Sequence, residues 1–177
     1  MMAEHQRDVA ATVAVLGFFA SSWFGWAQDS PPRAWRTPLA VAAIASVLLA
    51  AAGAWLTWQR WSDGSTLERA ETAQLFGVVV VVEVVAIGLG AALLGMRRHG
   101  ELTPAWIALV VGLHFFPLAV LLSYPLLHLT GAGVVVVAAV SIPVARSRTL
   151  VVSAVTGLGT GFVLLSSALA SLVLLLG

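Results

Sequence analysis

The residues of this sequence best suited to chemistry are an acid and a histidine, each inside a long apolar run. Glu83 lies within the run Phe76 to Leu94, with valine on both sides. His114 lies within the apolar run Val110 to Pro117. An ionisable group in hydrocarbon costs about 2.5–3.5 kcal/mol, so each should face the inside of a bundle and have a partner. Because burial disfavours the carboxylate, we expect Glu83 to be a neutral acid, which beside an imidazole suits acid–base catalysis or proton transfer.

Six hydrophobic segments must position these side chains. Of 177 residues, 60% are hydrophobic and 10% are charged, whereas about 25% are charged in a soluble domain. A helix needs about 20 apolar residues to cross a bilayer, and in lipid only helices or closed barrels satisfy the backbone. We therefore predict an all-α polytopic membrane protein, a six-transmembrane-helix bundle that forms a single membrane domain over residues 1–177. The predicted spans are residues 9–27, 38–58, 75–96, 104–122, 126–145 and 150–176.

Arginines in the loops predict how the chain is oriented in the cell membrane. The loops on one side carry six arginines, and the loops on the other side carry three. Because cytoplasmic loops are enriched in positive charge, the side with six should be cytoplasmic and both termini extracytoplasmic. The six are Arg33, Arg36, Arg97, Arg98, Arg146 and Arg148, and the three are Arg7, Arg60 and Arg69.

Glu83 and His114 are predicted to meet at one depth in the membrane. Short loops make the third and fourth spans antiparallel neighbours, and each residue lies about 12 Å from the outer end of its span at 1.5 Å per residue. We expect the two side chains to be within reach of a hydrogen bond or of one bridging water. Pro117 removes a helical hydrogen bond to Leu113, whose carbonyl should then be a free acceptor beside His114.

Five further residues are predicted to contact a substrate. Trp23 lies deeper in its span than the other tryptophans and is predicted to line a cavity. Tyr124 and His128 lie at the outer end of the fourth and fifth spans, where they are predicted to form a mouth above the acid–base pair. Phe115 and Phe116 directly follow the buried histidine.

Other conspicuous residues are predicted to have structural roles. Asp8 begins the first helix, where the helix dipole would stabilise its charge. Six tryptophans are predicted to anchor the helices at the membrane interfaces, and six glycines are predicted to permit close contact between helices. The tryptophans are Trp26, Trp35, Trp55, Trp58, Trp61 and Trp106, and the glycines are Gly77, Gly88, Gly90, Gly95, Gly157 and Gly161.

Composition excludes several classes of function and partner. The chain has no cysteine, which removes disulfides, thiolate nucleophiles and thiolate metal sites. It has no polybasic tail, so we expect no nucleic-acid partner. One histidine and one glutamate could hold only a weak metal site, so we predict neither a metal nor a cofactor. The expected partners are the lipid bilayer and a lipophilic small molecule, and a homo-oligomer is left open.

The middle third of the chain resembles a group of bacterial membrane proteins. The resemblance lies in Glu83, in the motif Gly112-Leu-His-Phe-Phe-Pro-Leu-Ala119, and in Pro125 and Gly131. These residues are similar to those of uncharacterised, actinobacterial-type multi-spanning proteins with a Gly-Leu-His-Phe-x-Pro-Leu-Ala signature. Where the group has tyrosine after the proline, this chain has leucine at 126 and 127. The resemblance implies that Glu83 and His114 form one unit, but it implies no reaction.

Three classes of function fit this pattern. The first is a membrane-embedded enzyme, in which Glu83 and His114 catalyse the cyclisation or isomerisation of a lipophilic, isoprenoid-like substrate. The second is a proton-coupled small transporter or channel with a Glu/His relay. The third is a structural or accessory membrane subunit in which the pair locks two helices together. A pocket open to lipid would favour the enzyme, a polar vestibule would favour transport, and tight packing would favour the structural role.

Overall fold

The computed structural model describes residues 5–177, which form six long helices joined by short connections. All six are long and apolar enough to cross a membrane, so the predicted all-α six-helix bundle is confirmed. The helices are α1 Gln6–Ala27, α2 Arg33–Gln59, α3 Ala70–Met96, α4 Thr103–Leu121, α5 Leu126–Arg148 and α6 Val152–Leu176. Short 3-10 turns occupy Trp61–Asp63, Thr66–Glu68 and Gly100–Leu102.

The helices pack in an order that differs from their order in the chain. α1 packs against both α2 and α6, and α5 packs against α6 and α4. α3 packs chiefly against α4. The end of α1 at Ala27 adjoins Gly157 near the start of α6, so these two helices are antiparallel. The first and last helices therefore bring both ends of the described chain to the same end of the bundle.

Glycines allow close approach only where helices cross tightly. A Cβ on Gly157 would lie 2.6 Å from the carbonyl oxygen of Trp23, and a Cβ on Gly161 would lie 2.8 Å from the ring of Phe24. Both glycines therefore act at the α1–α6 contact, as predicted. The prediction is wrong for three glycines of α3, where an added Cβ would meet no atom of the described chain within 4 Å. These are Gly77, Gly88 and Gly95.

α3 lies at the edge of the bundle. Within the described chain, none of its residues is buried, and its outer face carries exposed side chains such as Val81, Val84 and Leu89. In water this surface would be an aggregation site, whereas in a bilayer it contacts hydrocarbon. Among the described residues, the main helix–helix contact of α3 is thus the one with α4, and Glu83 lies at that contact.

A buried carboxylate holds the α2–α3 connection against α1. The Asp8 side chain accepts a hydrogen bond from the Ser65 hydroxyl at 2.6 Å and another from the Thr66 backbone N–H at 2.8 Å. Asp8 is 7% exposed. Beside it, the Arg7 guanidinium donates to Glu68 at 2.9 Å. Asp8 lies in the first turn of α1, as predicted for a charge that the helix dipole stabilises. It is in addition a tertiary link, because the loop folds back over it.

Replacing Asp8 by Ala is expected to release this connection. The substitution leaves the buried hydroxyl and N–H without their acceptor, which costs about 1–3 kcal/mol of unfolding free energy. The thermal midpoint in detergent should fall, and protease cleavage between α2 and α3 should speed up. Asp63→Ala, on the exposed part of the same connection, is the control and should change neither. Equal behaviour of the two variants would contradict the role given to Asp8.

Candidate functional site

The intramembrane acid and histidine contact each other across the α3–α4 interface. Glu83 Oε1 lies 3.3 Å from His114 Nδ1, and the two side chains are 16% and 14% exposed. The predicted proximity of the pair is confirmed. It arises because the short α3–α4 connection makes the helices antiparallel neighbours and because both residues lie near mid-span.

The hydrogen bonding of His114 determines which ring nitrogen can act as a base. Its Nδ1–H donates to the backbone carbonyl of Val111 at 2.6 Å. Since a carbonyl oxygen can only accept, Nδ1 carries the hydrogen, and Nε2 of a neutral ring carries the lone pair. The expected acceptor was the carbonyl of Leu113, freed by the proline; the structure uses Val111, one turn below the ring. The proton of a neutral Glu83 is therefore not taken up by Nδ1.

The pair lies in a cavity between the two helices, which we call the α3/α4 groove. Its volume is about 410 Å³, within the range of about 300–1,000 Å³ typical of small-molecule sites. Exposed residues such as Val78, Leu113 and Pro117 belong to its wall, so the groove opens on the outer surface of the bundle. The apolar side chains that line it include Val79, Val82, Ala86, Val110, Leu113 and Pro117.

Tyr124 does not form the predicted mouth of this groove. It is 1% exposed, and its hydroxyl donates to Ser171 at 2.9 Å. Burial raises the pKa of Tyr124 above its ordinary value, so the hydroxyl stays protonated and available as the donor. Tyr124 therefore ties the α4–α5 turn to α6, because that turn folds inward over the last turns of α6.

The other four residues predicted to contact a substrate also lie outside the lining of the groove. Trp23 is 5% exposed and packs in the bundle core, with its ring 5.3 Å from that of Trp26. Phe115 is buried in the core, with its ring 4.5 Å from that of His114. The rings of Phe116 and His128 lie 5.9 Å apart on the exposed surface. Substrate contact by these residues stays a prediction.

Trp106 also lines the groove, although its position in the sequence did not predict a site role. Its role as an interfacial anchor stays a prediction. In the structure its indole N–H donates to the backbone carbonyl of Ala86 at 3.1 Å, and its ring forms part of the groove wall. Gly90 provides the space, since a Cβ there would overlap the indole. The spacing of the contact residues in the sequence could have indicated this position of Trp106. Ala86 and Gly90 lie three and seven residues after Glu83 and therefore share its face of α3.

Comparison with known proteins assigns no function to this chain, so a function must be inferred from the geometry of the site. No protein-family model, no curated protein and no solved structure matches this chain. The resemblance to the bacterial group with the Gly-Leu-His-Phe signature stays a prediction. Among residues 5–177 no group of three or more His, Cys, Asp or Glu side chains is placed to hold a metal ion. The acid–base pair and its apolar surroundings are thus the features from which a function can be inferred.

Proposed function

We propose that the α3/α4 groove is the active site of a membrane-embedded enzyme that performs acid–base chemistry on a lipophilic, isoprenoid-like substrate. The observation that carries the proposal is an acid and a base in contact inside an apolar groove that opens toward lipid. A hydrocarbon substrate can enter such a groove sideways from the bilayer, without crossing water. An apolar setting also strengthens the interaction of the pair with charge that develops during reaction.

The two side chains have complementary proton roles in this proposal. Glu83 donates its proton to a double bond of the substrate, which leaves a carbocation. Nε2 of His114 removes a proton from another carbon, so the product is a double-bond isomer or a ring. Glu83 is then a carboxylate and His114 an imidazolium, held as an ion pair across the 3.3 Å contact. Return of the Nε2 proton to the carboxylate restores the neutral acid and the neutral ring with its hydrogen on Nδ1.

The two alternative functions receive less support from the site. A proton-coupled transporter or channel needs a continuous polar route, but among the described residues that line the groove only Glu83, His114 and Trp106 have polar side-chain groups. A structural role gains from one observation, namely that α3 packs chiefly against α4, so the pair could serve to hold α3. The structural role predicts that loss of the acidic proton has no effect on activity.

Deuterium transfer to carbon tests the enzyme proposal even while the substrate is unidentified. The purified protein is incubated in deuterated buffer with a lipid extract rich in isoprenoids, and the lipids are analysed by mass spectrometry. Because the carboxyl proton exchanges with solvent, protonation of a double bond should place deuterium on carbon. We expect carbon-bound deuterium in one lipid class above a protein-free control. Its absence from every class would contradict the proposal.

We also propose that both termini face the outside of the cell membrane. The support is the excess of arginine at the opposite end of the bundle, where Arg97, Arg98 and Arg146 are all exposed. A reporter that is active only outside the cytoplasm should therefore be active when fused to Gly177, and the same reporter inserted after Arg98 should be inactive. The reverse pattern would overturn the orientation but would leave the groove unaffected.

A further inference from the structure

Trp106 lines two cavities of the described bundle. The first is the α3/α4 groove with Glu83 and His114. The second has a volume of about 340 Å³ and is formed by α3, α4 and α5. We call it the inner cavity because Leu94 and Leu102 place it toward the α3–α4 connection. Apart from Trp106 itself, the inner cavity is lined by apolar side chains. They are Leu94, Leu102, Ala105, Leu109, Ala138, Ala139 and Ile142.

The indole is fixed in position between these cavities. Its N–H donates to the carbonyl of Ala86 at 3.1 Å, and its ring sits in the notch left by Gly90. A hydrogen bond in an apolar setting is costly to break, and the notch fits the flat ring against the α3 backbone. Trp106 is therefore a wall rather than a mobile side chain.

The wall lies at a defined distance from the acid–base pair. Trp106 precedes His114 by eight positions in α4, which corresponds to about 12 Å along the helix axis. A molecule whose polar end contacts the pair, and whose tail extends along α4 away from Pro117, therefore meets the indole. The inner cavity continues beyond it as far as Leu102.

We propose that Trp106 sets the length of the hydrocarbon tail that the α3/α4 groove accepts from a lipophilic alcohol, a proposal that rests on the site named above. A hydroxyl is an end group that the pair can hold before reaction, because it can accept a hydrogen bond from neutral Glu83 and donate one to Nε2 of His114. The double bond that reacts is then the one nearest the hydroxyl. A permanent charge would be disfavoured in so apolar a cavity. Trp106 is thus a specificity-determining residue, and its removal joins the groove to the inner cavity.

Photolabelling with alcohols of two lengths tests this proposal. The probes are analogues of octanol and hexadecanol with a diazirine at the end of the chain, and only labelling displaced by unlabelled octanol is counted, which excludes bulk lipid contact. Wild-type protein should prefer the octanol probe. Trp106→Ala should shift the preference toward the hexadecanol probe by at least about tenfold, since about two extra buried methylene groups suffice for that factor. The new label should map to the inner cavity, near Leu109 or Ile142.

Matched variants distinguish the loss of the ring at position 106 from a general effect of losing a tryptophan. Trp106→Phe keeps a ring in the notch and should keep the wild-type preference. Trp55→Ala removes an exposed tryptophan far from the groove along the chain and should also keep it. If Trp106→Ala does not fold, Trp106→Leu also shortens the wall and should show the same direction of change. An unchanged preference in a folded Trp106→Ala or Trp106→Leu protein would overturn the proposal, as would equal labelling of wild type by both probes.

The same measurement in a Glu83→Gln background separates this inference from the proposed function. Glutamine still donates a hydrogen bond to a hydroxyl, so the change in length preference caused by Trp106→Ala should persist. If Glu83→Gln protein is fully active and Trp106→Ala still changes the length preference, the proposed acid–base mechanism fails and the tail-length role of Trp106 stands. If Glu83→Gln protein is inactive and Trp106→Ala does not change the length preference, the tail-length role of Trp106 fails and the enzyme proposal stands.

Discussion

Replacing Glu83 by Gln is expected to lower deuterium transfer to lipid by at least about 100-fold, the smaller end of what a general acid contributes. Glutamine keeps the shape and much of the hydrogen bonding of a neutral carboxylic acid, but it cannot release a proton to carbon. Glu83 and His114 lie 3.3 Å apart in the wild type. Because we expect both groups to be neutral before reaction, the substitution removes no ion pair from this contact. The thermal midpoint in detergent should therefore stay at the wild-type value while activity is lost.

A second substitution on the same helix controls for the loss of an acid. Glu71 lies in the first turn of α3 and is exposed, so Glu71→Gln should keep both the wild-type rate and the wild-type midpoint. Full activity of folded Glu83→Gln protein would remove Glu83 from the mechanism and favour the structural role of the pair. Loss of both folding and activity in Glu83→Gln would likewise assign the residue to helix packing.

Replacing Gly157 by Ala is expected to be the most damaging single-methyl change in the α1–α6 contact. The added Cβ would lie 2.6 Å from the Trp23 carbonyl oxygen and 2.8 Å from the Ala27 backbone nitrogen. Both are main-chain atoms, so no side-chain rotation relieves the overlap and the two helices must move apart. Overpacking of this kind costs about 1–3 kcal/mol. The thermal midpoint and the resistance to unfolding in SDS should both fall.

Gly88→Ala provides the matched comparison for this substitution. It makes the same chemical change within a membrane span, but at a position where a Cβ meets no atom of the described chain within 4 Å. Alanine is favoured over glycine inside a helix by roughly 0.5–1 kcal/mol, so stability should be unchanged or slightly higher. Equal losses in Gly157→Ala and Gly88→Ala would show that the α1–α6 crossing tolerates a wider separation than the structure has.

The sequence by itself determined the number of helices, their approximate bounds and the meeting of Glu83 with His114. Bilayer thickness requires spans of about 20 apolar residues, so run length and composition were sufficient to find all six helices. The short α3–α4 connection then made those two helices antiparallel neighbours, whereas the same expectation is wrong for α2 and α3, which do not pack closely against each other among the described residues. Glu83 and His114 lie at equal depth on the neighbouring helices α3 and α4. Because an unpaired ionisable group in hydrocarbon is costly, each was the expected partner of the other.

Only the tertiary structure decided how each helix is rotated and which cavities result. A helix that is apolar on every side has no amphipathic pattern to show which face meets its neighbours, and lipid provides no hydrophobic force to bury one face. Rotation is instead set by close backbone contacts and by single hydrogen bonds, which run length does not reveal. That is why Tyr124 proved to be hydrogen-bonded to α6 and why Trp106 proved to line two cavities. It is also why Gly88 lies on the outer surface while Gly157 lies against α1.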